Sequence, residues 1–224
     1  MKYGTWTVSS YEPADARALC AAGFSPITAA LLCSRGYRDA DAARAFLSCS
    51  YPLSSPFDLL DMDKAAARVR LALQRREHIA VFGDYDVDGI TATCLLTEFL
   101  RSRGGHVTSY IPARLEEGYG LNAIAIDTLK KQGVELIVTV DCGITANAEA
   151  ALCRQLGIDL VITDHHECKS DLPEAVALVD PHRKDQPQPV TEMAGVGVAF
   201  KLAAAIAGEQ EKLLDEYCDF LCLG

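Results

Sequence analysis

The amino-acid sequence predicts an α/β fold, a mainly parallel five-stranded sheet flanked by helices, behind a helical N-terminal lead-in. Two observations predict it. From Ile79 onward, short runs rich in β-branched residues alternate with longer stretches whose apolar residues recur at helical spacing. That alternation is the mark of a parallel sheet covered on both faces. In addition, three of the runs end directly in acidic or imidazole residues. His78-Ile79-Ala80-Val81-Phe82 leads into Gly83-Asp84-Tyr85-Asp86-Val87-Asp88-Gly89. Leu136-Ile137-Val138-Thr139-Val140 leads into Asp141-Cys142-Gly143, and Asp159-Leu160-Val161-Ile162-Thr163 into Asp164-His165-His166-Glu167. Loops at the carboxyl ends of parallel strands open onto one edge of the sheet. Residues far apart in sequence should therefore converge in one crevice. Converging carboxylates repel one another unless a cation lies between them, so a metal site is expected, with more than one ion.

The elements follow in chain order. Residues 1–60 form the lead-in, with apolar residues at helical spacing over 14–22, 27–34 and 40–48. Ser25 before Pro26, and Asp39 or Asp41 before an alanine-rich stretch, read as helix starts. Tyr51-Pro52-Leu53-Ser54-Ser55-Pro56 is a breaker-rich linker. Asp61-Met62-Asp63 opens a helix through Arg76, the start of a second domain over 61–224. Strands are expected at 79–83, 107–111, 135–140, 159–163 and 175–179, and helices at 90–103, 122–132, 145–156 and 195–207. Asp84, Asp141, Asp164 and Asp180 all fall at or just after strand ends.

Composition narrows the function. Half of the 224 residues are hydrophobic, enough for a sizeable core, yet no apolar run approaches a membrane span. The first residues carry no apolar signal region, so a cytoplasmic protein is expected. The nine cysteines are odd in number and none form a Cys-x-x-Cys pair. They read as reduced thiols rather than a disulfide framework or a structural zinc site. A net charge of −10 argues against a broad duplex-binding surface. It leaves nucleic acid open, because bound cations reverse the local field of an acidic cluster.

Asp84-x-Asp86-x-Asp88-Gly89 matches the first half of an EF-hand calcium loop, but that reading fails. Leu95 stands where the loop needs a glutamate, and a strand precedes it where a helix is required. Three alternating carboxylates after a buried strand, turning into a helix near Ile90, fit a metal-lined turn better. Asp141 reads either as a ligand or as an N-cap, although Thr145 lies nearer the next helix start. Asp164-His165-His166 suits an imidazole ligand with a carboxylate partner. Mixed carboxylate and imidazole donors suit manganese or magnesium. Arg114 fits either a phosphate contact or a local salt bridge. The amides of Gly195 and Gly197 fit either phosphate binding at a helix start or tight packing there.

Together these residues resemble the DHH phosphoesterase superfamily, and within it the RecJ-type single-strand DNA exonucleases. The resemblance rests on Val81 through Gly89, Ile111-Pro112 with Glu116-Glu117-Gly118-Tyr119-Gly120-Leu121-Asn122, and Val140-Asp141-Cys142-Gly143. Thr163-Asp164-His165-His166 and Ala194-Gly195-Val196-Gly197-Val198-Ala199-Phe200-Lys201-Leu202 extend it. It implies a DHH-type sheet, two Mn2+ or Mg2+ ions, and hydrolysis of single-stranded DNA from the 5′ end in repair and recombination. Asp86, Asp88, Asp141 and His165 match the family's metal ligands, with Asp141 as the bridge. Asp84 and Asp164 match positions that orient those ligands, and His166 is expected near the scissile phosphate. Replication or repair proteins are the partners it implies, and no membrane.

Tyr217-Cys218-Asp219-Phe220-Leu221-Cys222-Leu223-Gly224 resembles the start of a fourth motif that in the family runs on to another acidic residue. The last metal ligand is therefore either Asp219 or a residue beyond Gly224, and a weak nuclease is expected of residues 1–224 alone. Two other functions compete. One is a phosphodiesterase for oligoribonucleotides or cyclic dinucleotides, against which the helical lead-in and the RecJ-like segments argue. The other is a replication scaffold without catalysis, against which the intact Asp86, Asp88, Asp141 and His165 argue. Manganese titration followed by assays on single-stranded DNA, dinucleotides and cyclic dinucleotides separates the three.

Overall fold

The computed structural model describes residues 9–48, 53–113, 117–187, 190 and 193–224. The chain divides into two compact units, Met1–Leu53 and Ser54–Gly224. The first holds α1 (Pro13–Ala21), α2 (Pro26–Ser34) and α3 (Ala40–Ser48) around a small core of Leu19, Ala29, Leu32, Cys33 and Ala43. Ser25 caps α2, its hydroxyl accepting from the Thr28 N–H at 3.2 Å, and Pro26 occupies the first turn where no amide is needed. Pro56 and Leu59, placed in the lead-in by the sequence, are buried within the second unit.

The second unit runs through a short 3-10 turn (Pro56–Asp58), α4 (Met62–Arg75), β1 (His78–Phe82), α5 (Val87–Ser102), β2 (His106–Tyr110) and α6 (Ala123–Lys131). It continues with β3 (Leu136–Val140), α7 (Asn147–Gln155), β4 (Asp159–Thr163), β5 (Ala177–Val179), α8 (Gly195–Ala207) and α9 (Glu211–Leu223). The five strands form one sheet in the order β2-β1-β3-β4-β5, and every pairing is parallel. Alternate side chains of each strand feed two cores. Ile79, Val81, Val138 and Val161 face α4, α5 and α8, while Ala80, Phe82, Ile137 and Ile162 face α6 and α7. Both faces are covered, so the strands read as continuous apolar runs.

Strand order reverses between β1 and β3, because the chain builds β2 on one side of β1 and then crosses to the other. Ligands of open α/β sheets bind outside the carboxyl ends of the strands at such a reversal. The register aligns those ends: Phe82 pairs with Thr139, Val140 with Thr163 and Thr163 with Val179.

Four details differ from the sequence reading. The helix expected from Ile90 begins at Val87, because Asp86 is its N-cap and accepts from the Gly89 N–H at 2.9 Å. Thr145 caps nothing: α7 starts at Asn147 behind Ala146, with no side-chain cap. The expected strand 175–179 forms only over Ala177–Val179, and residues 211–223, assigned no element from sequence, are helical. Among the described residues, no helix is long and apolar enough to cross a membrane.

Candidate metal centre

The loops after β1, β3, β4 and β5 bring Asp84, Asp141, Asp164 and Asp180 to one edge of the sheet, and all four are buried. Asp141 is the centre of the group. Its ligand atoms lie within 4.8 Å of those of Asp84 and Asp86 on one side, and of His165 and His166 on the other. Its backbone is left-handed, with φ 59°, a conformation that aspartate tolerates better than most residues. His165 Nε2 stands 3.0 Å from Asp141 Oδ1 and 3.5 Å from Asp88 Oδ2.

Asp164 is an organiser. Its Oδ2 accepts the Ile144 N–H at 2.9 Å, and its Oδ1 accepts the His165 N–H at 2.7 Å. The same Oδ1 lies 2.7 Å from His166 Nδ1. This contact fixes the His166 ring and, as the largest cause, lifts its pKa to about 9.

Electrostatics identify the site as an unbalanced one. Burial, then the charges of Asp88 and Asp86, push Asp141 up to about 8. Burial pushes Asp180 up to about 6. Buried oxygens that accept no hydrogen bond include Asp141 Oδ1 and Asp180 Oδ2. Such groups are costly unless something neutralises them. Hard carboxylate oxygens beside imidazole nitrogens are the donor set that Mn2+ and Mg2+ take, so the residues present fit those ions.

Asp88 is a member of neither ligand group, although its Oδ2 lies 3.5 Å from His165 Nε2. Its Oδ2 accepts the Gly195 N–H and its Oδ1 the Val196 N–H, each at 2.7 Å, so it anchors the N-terminus of α8. Of the two readings of Gly195 and Gly197, packing is the one these contacts support. The Gly195 amide is spent on Asp88, and the Gly197 amide on the Ala194 carbonyl at 2.9 Å, so neither is directed at a phosphate. Packing explains Gly195 instead: a β-carbon there would lie 2.5 Å from Asp141 Oδ1. Arg114 lies outside the described residues. Asp219 is exposed on α9, its Oδ1 accepting the Phe220 N–H at 2.9 Å.

Three neighbours of the site, Asp180, His182 and Tyr119, were given no role from sequence. Asp180 accepts the His182 N–H at 2.7 Å, and His182 Nδ1 lies 2.5 Å from the His165 carbonyl oxygen. The position of Asp180 at a strand end was the available clue. Tyr119 reaches His166, with Oη 3.3 Å from Nε2. Its phenol pKa is raised, first by burial and then by Asp164.

A parallel sheet ordered β2-β1-β3-β4-β5, with carboxylates and imidazoles gathered at its reversal, defines a doubly wound α/β protein with a centre for divalent cations. The profile of the DHH family, N-terminal domain, matches residues 78–224, and the chain belongs to that family. The single-stranded-DNA-specific exonuclease RecJ of Bacillus subtilis (strain 168) is 43% identical over 201 residues, 89% of this chain and 25% of the relative. RecJ of Escherichia coli (strain K12) is 37% identical over 182 residues, 81% of this chain and 31% of the relative. Among solved structures, RecJ from Thermus thermophilus in complex with Mn2+ superposes with a TM-score of 0.74 at 29% identity, over 96% of this chain and 30% of that one. The chain thus spans 25% of the length of the Bacillus relative and 31% of the Escherichia relative.

Proposed function

We propose that this chain carries the catalytic centre of a metal-dependent exonuclease that hydrolyses phosphodiester bonds of single-stranded DNA from the 5′ end, in repair and recombination. The observation that carries the reading is that Asp141 belongs to both ligand groups, with Asp84 and Asp86 and with His165 and His166. One carboxylate shared by two groups is the arrangement of a two-cation centre. Two ions, Mn2+ or Mg2+, would supply water activation and offset charge on the phosphate. Asp86, Asp141 and His165 would hold them. Asp88 joins that set only by sharing its carboxylate with the amides of α8. Asp84 and Asp164 orient the donors, and His166, fixed by Asp164, faces the phosphate. The second compact unit is the catalytic core in this reading, and the helical unit an accessory to it. The RecJ relatives and their manganese complex support it, as do free thiols suited to the cytoplasm.

The test is manganese titration of the intact protein with 5′- and 3′-labelled single-stranded DNA, blunt duplex, dinucleotides and cyclic dinucleotides. Mononucleotides released first from the 5′ label of single strands are expected. Faster turnover of cyclic dinucleotides, or no turnover with manganese bound, would replace the exonuclease reading with a phosphodiesterase or a scaffold.

A further inference from the structure

We infer that Tyr119 is a positioning residue for His166, and that the strap of residues 117–122 before α6 exists to deliver it. The inference rests on the function proposed above for the site itself. Asp164 holds the imidazole at Nδ1, 2.7 Å away, and the Tyr119 hydroxyl holds the opposite nitrogen, Nε2, at 3.3 Å. The ring is thus pinned at both ends, with the phenol and imidazole edge-on at 6.1 Å between centroids. Tyr85, from the loop after β1, meets the other side of Tyr119 edge-on at 6.2 Å. A half-exposed imidazole held only at Nδ1 keeps freedom about its side-chain torsions. A second contact removes it and aligns the ring for the reacting group.

The strap is built for this reach. Tyr119 sits between Gly118 and Gly120, whose φ values are +83° and +76°. A β-carbon at either glycine would meet nothing within 4 Å. Backbone conformation, not lack of space, therefore demands glycine on both sides of the tyrosine. Glu117 braces the strap from within. Its Oε1 accepts the Ala113 N–H at 2.9 Å, and its Oε2 accepts the Tyr110 hydroxyl at 2.7 Å. Tyr110 stacks on Phe82 of β1, with 5.3 Å between ring centroids. Tyr110 and Glu117 therefore tie the backbone ahead of Gly118 to the buried sheet, and Tyr119, two residues on from Glu117, reaches His166. Tyr110, Glu117 and Tyr119 belong to neither ligand group, so their loss should leave the cation centre intact.

The experiment compares wild type, Tyr119→Phe and Glu117→Gln in the intact protein. Tyr119→Phe keeps the half-exposed ring and its edge contacts and removes only the hydroxyl, so the fold is preserved. Losing one hydrogen bond to His166 should lower kcat by about tenfold. KM for single-stranded DNA and the manganese dependence should stay within about twofold. Glu117→Gln cannot accept from both the Ala113 amide and the Tyr110 hydroxyl, and should lower kcat in the same direction by a smaller factor. In the metal-free protein, the imidazole nitrogen resonances of His166 should shift in Tyr119→Phe while those of His78 and His106 do not. That shift is read without any nuclease activity, so it decides the inference even if the proposed reaction is wrong. An unmoved His166 resonance overturns it. So does a kcat equal to wild type, or a change confined to KM, which would make Tyr119 a substrate contact.

Discussion

The two ends of the sheet treat buried carboxylates in opposite ways. At the amino end, Arg68 of α4 reaches Glu77 at 2.6 Å and Asp159 at 2.5 Å, so the chain supplies its own cation. At the carboxyl end, among the described residues, Asp141, Asp164 and Asp180 have no lysine or arginine within ion-pair distance; only histidines approach them. The same fold that answers one acidic cluster with a guanidinium leaves the other with acceptors that lack donors. Both arrangements cannot serve stability. A buried charge without a partner destabilises the metal-free protein, and it makes sense where an incoming ion is the partner. The contrast separates structural from functional carboxylates without reference to any relative.

Breaking the carboxyl end should have the largest effect. Asparagine tolerates the left-handed backbone at position 141, so Asp141→Asn removes the charge with little strain. It removes a donor common to both ligand groups. The loss should amount to several kcal/mol of transition-state stabilisation, roughly 10³-fold in rate, with manganese affinity falling in parallel. Calorimetric manganese titration and a nuclease assay check it. A variant with wild-type rate and affinity would show that Asp141 is buried for structural reasons.

Breaking the amino end should cost stability and spare function. Arg68→Met keeps the aliphatic stem and leaves Glu77, with 9% of its side chain exposed, only the exposed Arg75 guanidinium at 3.7 Å. The expected loss is about 2–3 kcal/mol, below the range for a fully buried pair because half of the Asp159 side chain is exposed. Urea unfolding measures it, and manganese affinity should stay within about twofold. A large drop in affinity would mean that the two ends are coupled through the sheet.

This contrast also explains what sequence could and could not disclose. The strands were legible because each is a continuous apolar run filling both cores, as with Ile79 and Val81 on one side and Ala80 and Phe82 on the other. The strand-end residues were legible because chain order places them there. Their partners were not. Asp88 meets an amide 107 positions away in α8, and Tyr119 meets an imidazole 47 positions away. Spacing along the chain carries no record of such contacts. Asp86 misled for a local reason: its capping bond starts α5 within the acidic run, where sequence suggested an extended turn.

The smallest effect is a slope, and it sharpens the comparison because metal should reverse it. Asp141, Asp180 and His166 are raised to about 8, 6 and 9 in the folded, metal-free protein. The folded state therefore holds more protons than the unfolded chain. The contributions are complete below the unfolded values, near 3.9 for aspartate and 6.5 for histidine. They fade as pH rises through each folded value. Stability of the metal-free protein should fall between pH 5 and 9, by about 2 kcal/mol per pH unit where two of the three groups differ from the unfolded chain. Manganese needs these carboxylates ionised, so its binding should release protons and its stabilisation should grow over the same range. Thermal melts at several pH values, with and without manganese, should give lines that diverge as pH rises. Asp141→Asn should flatten the metal-free line most between pH 5 and 8. Arg68→Met should lower both lines and change neither slope. Parallel lines in wild type would mean that the carboxyl-end carboxylates have a partner other than metal, and that the two ends of the sheet are alike after all.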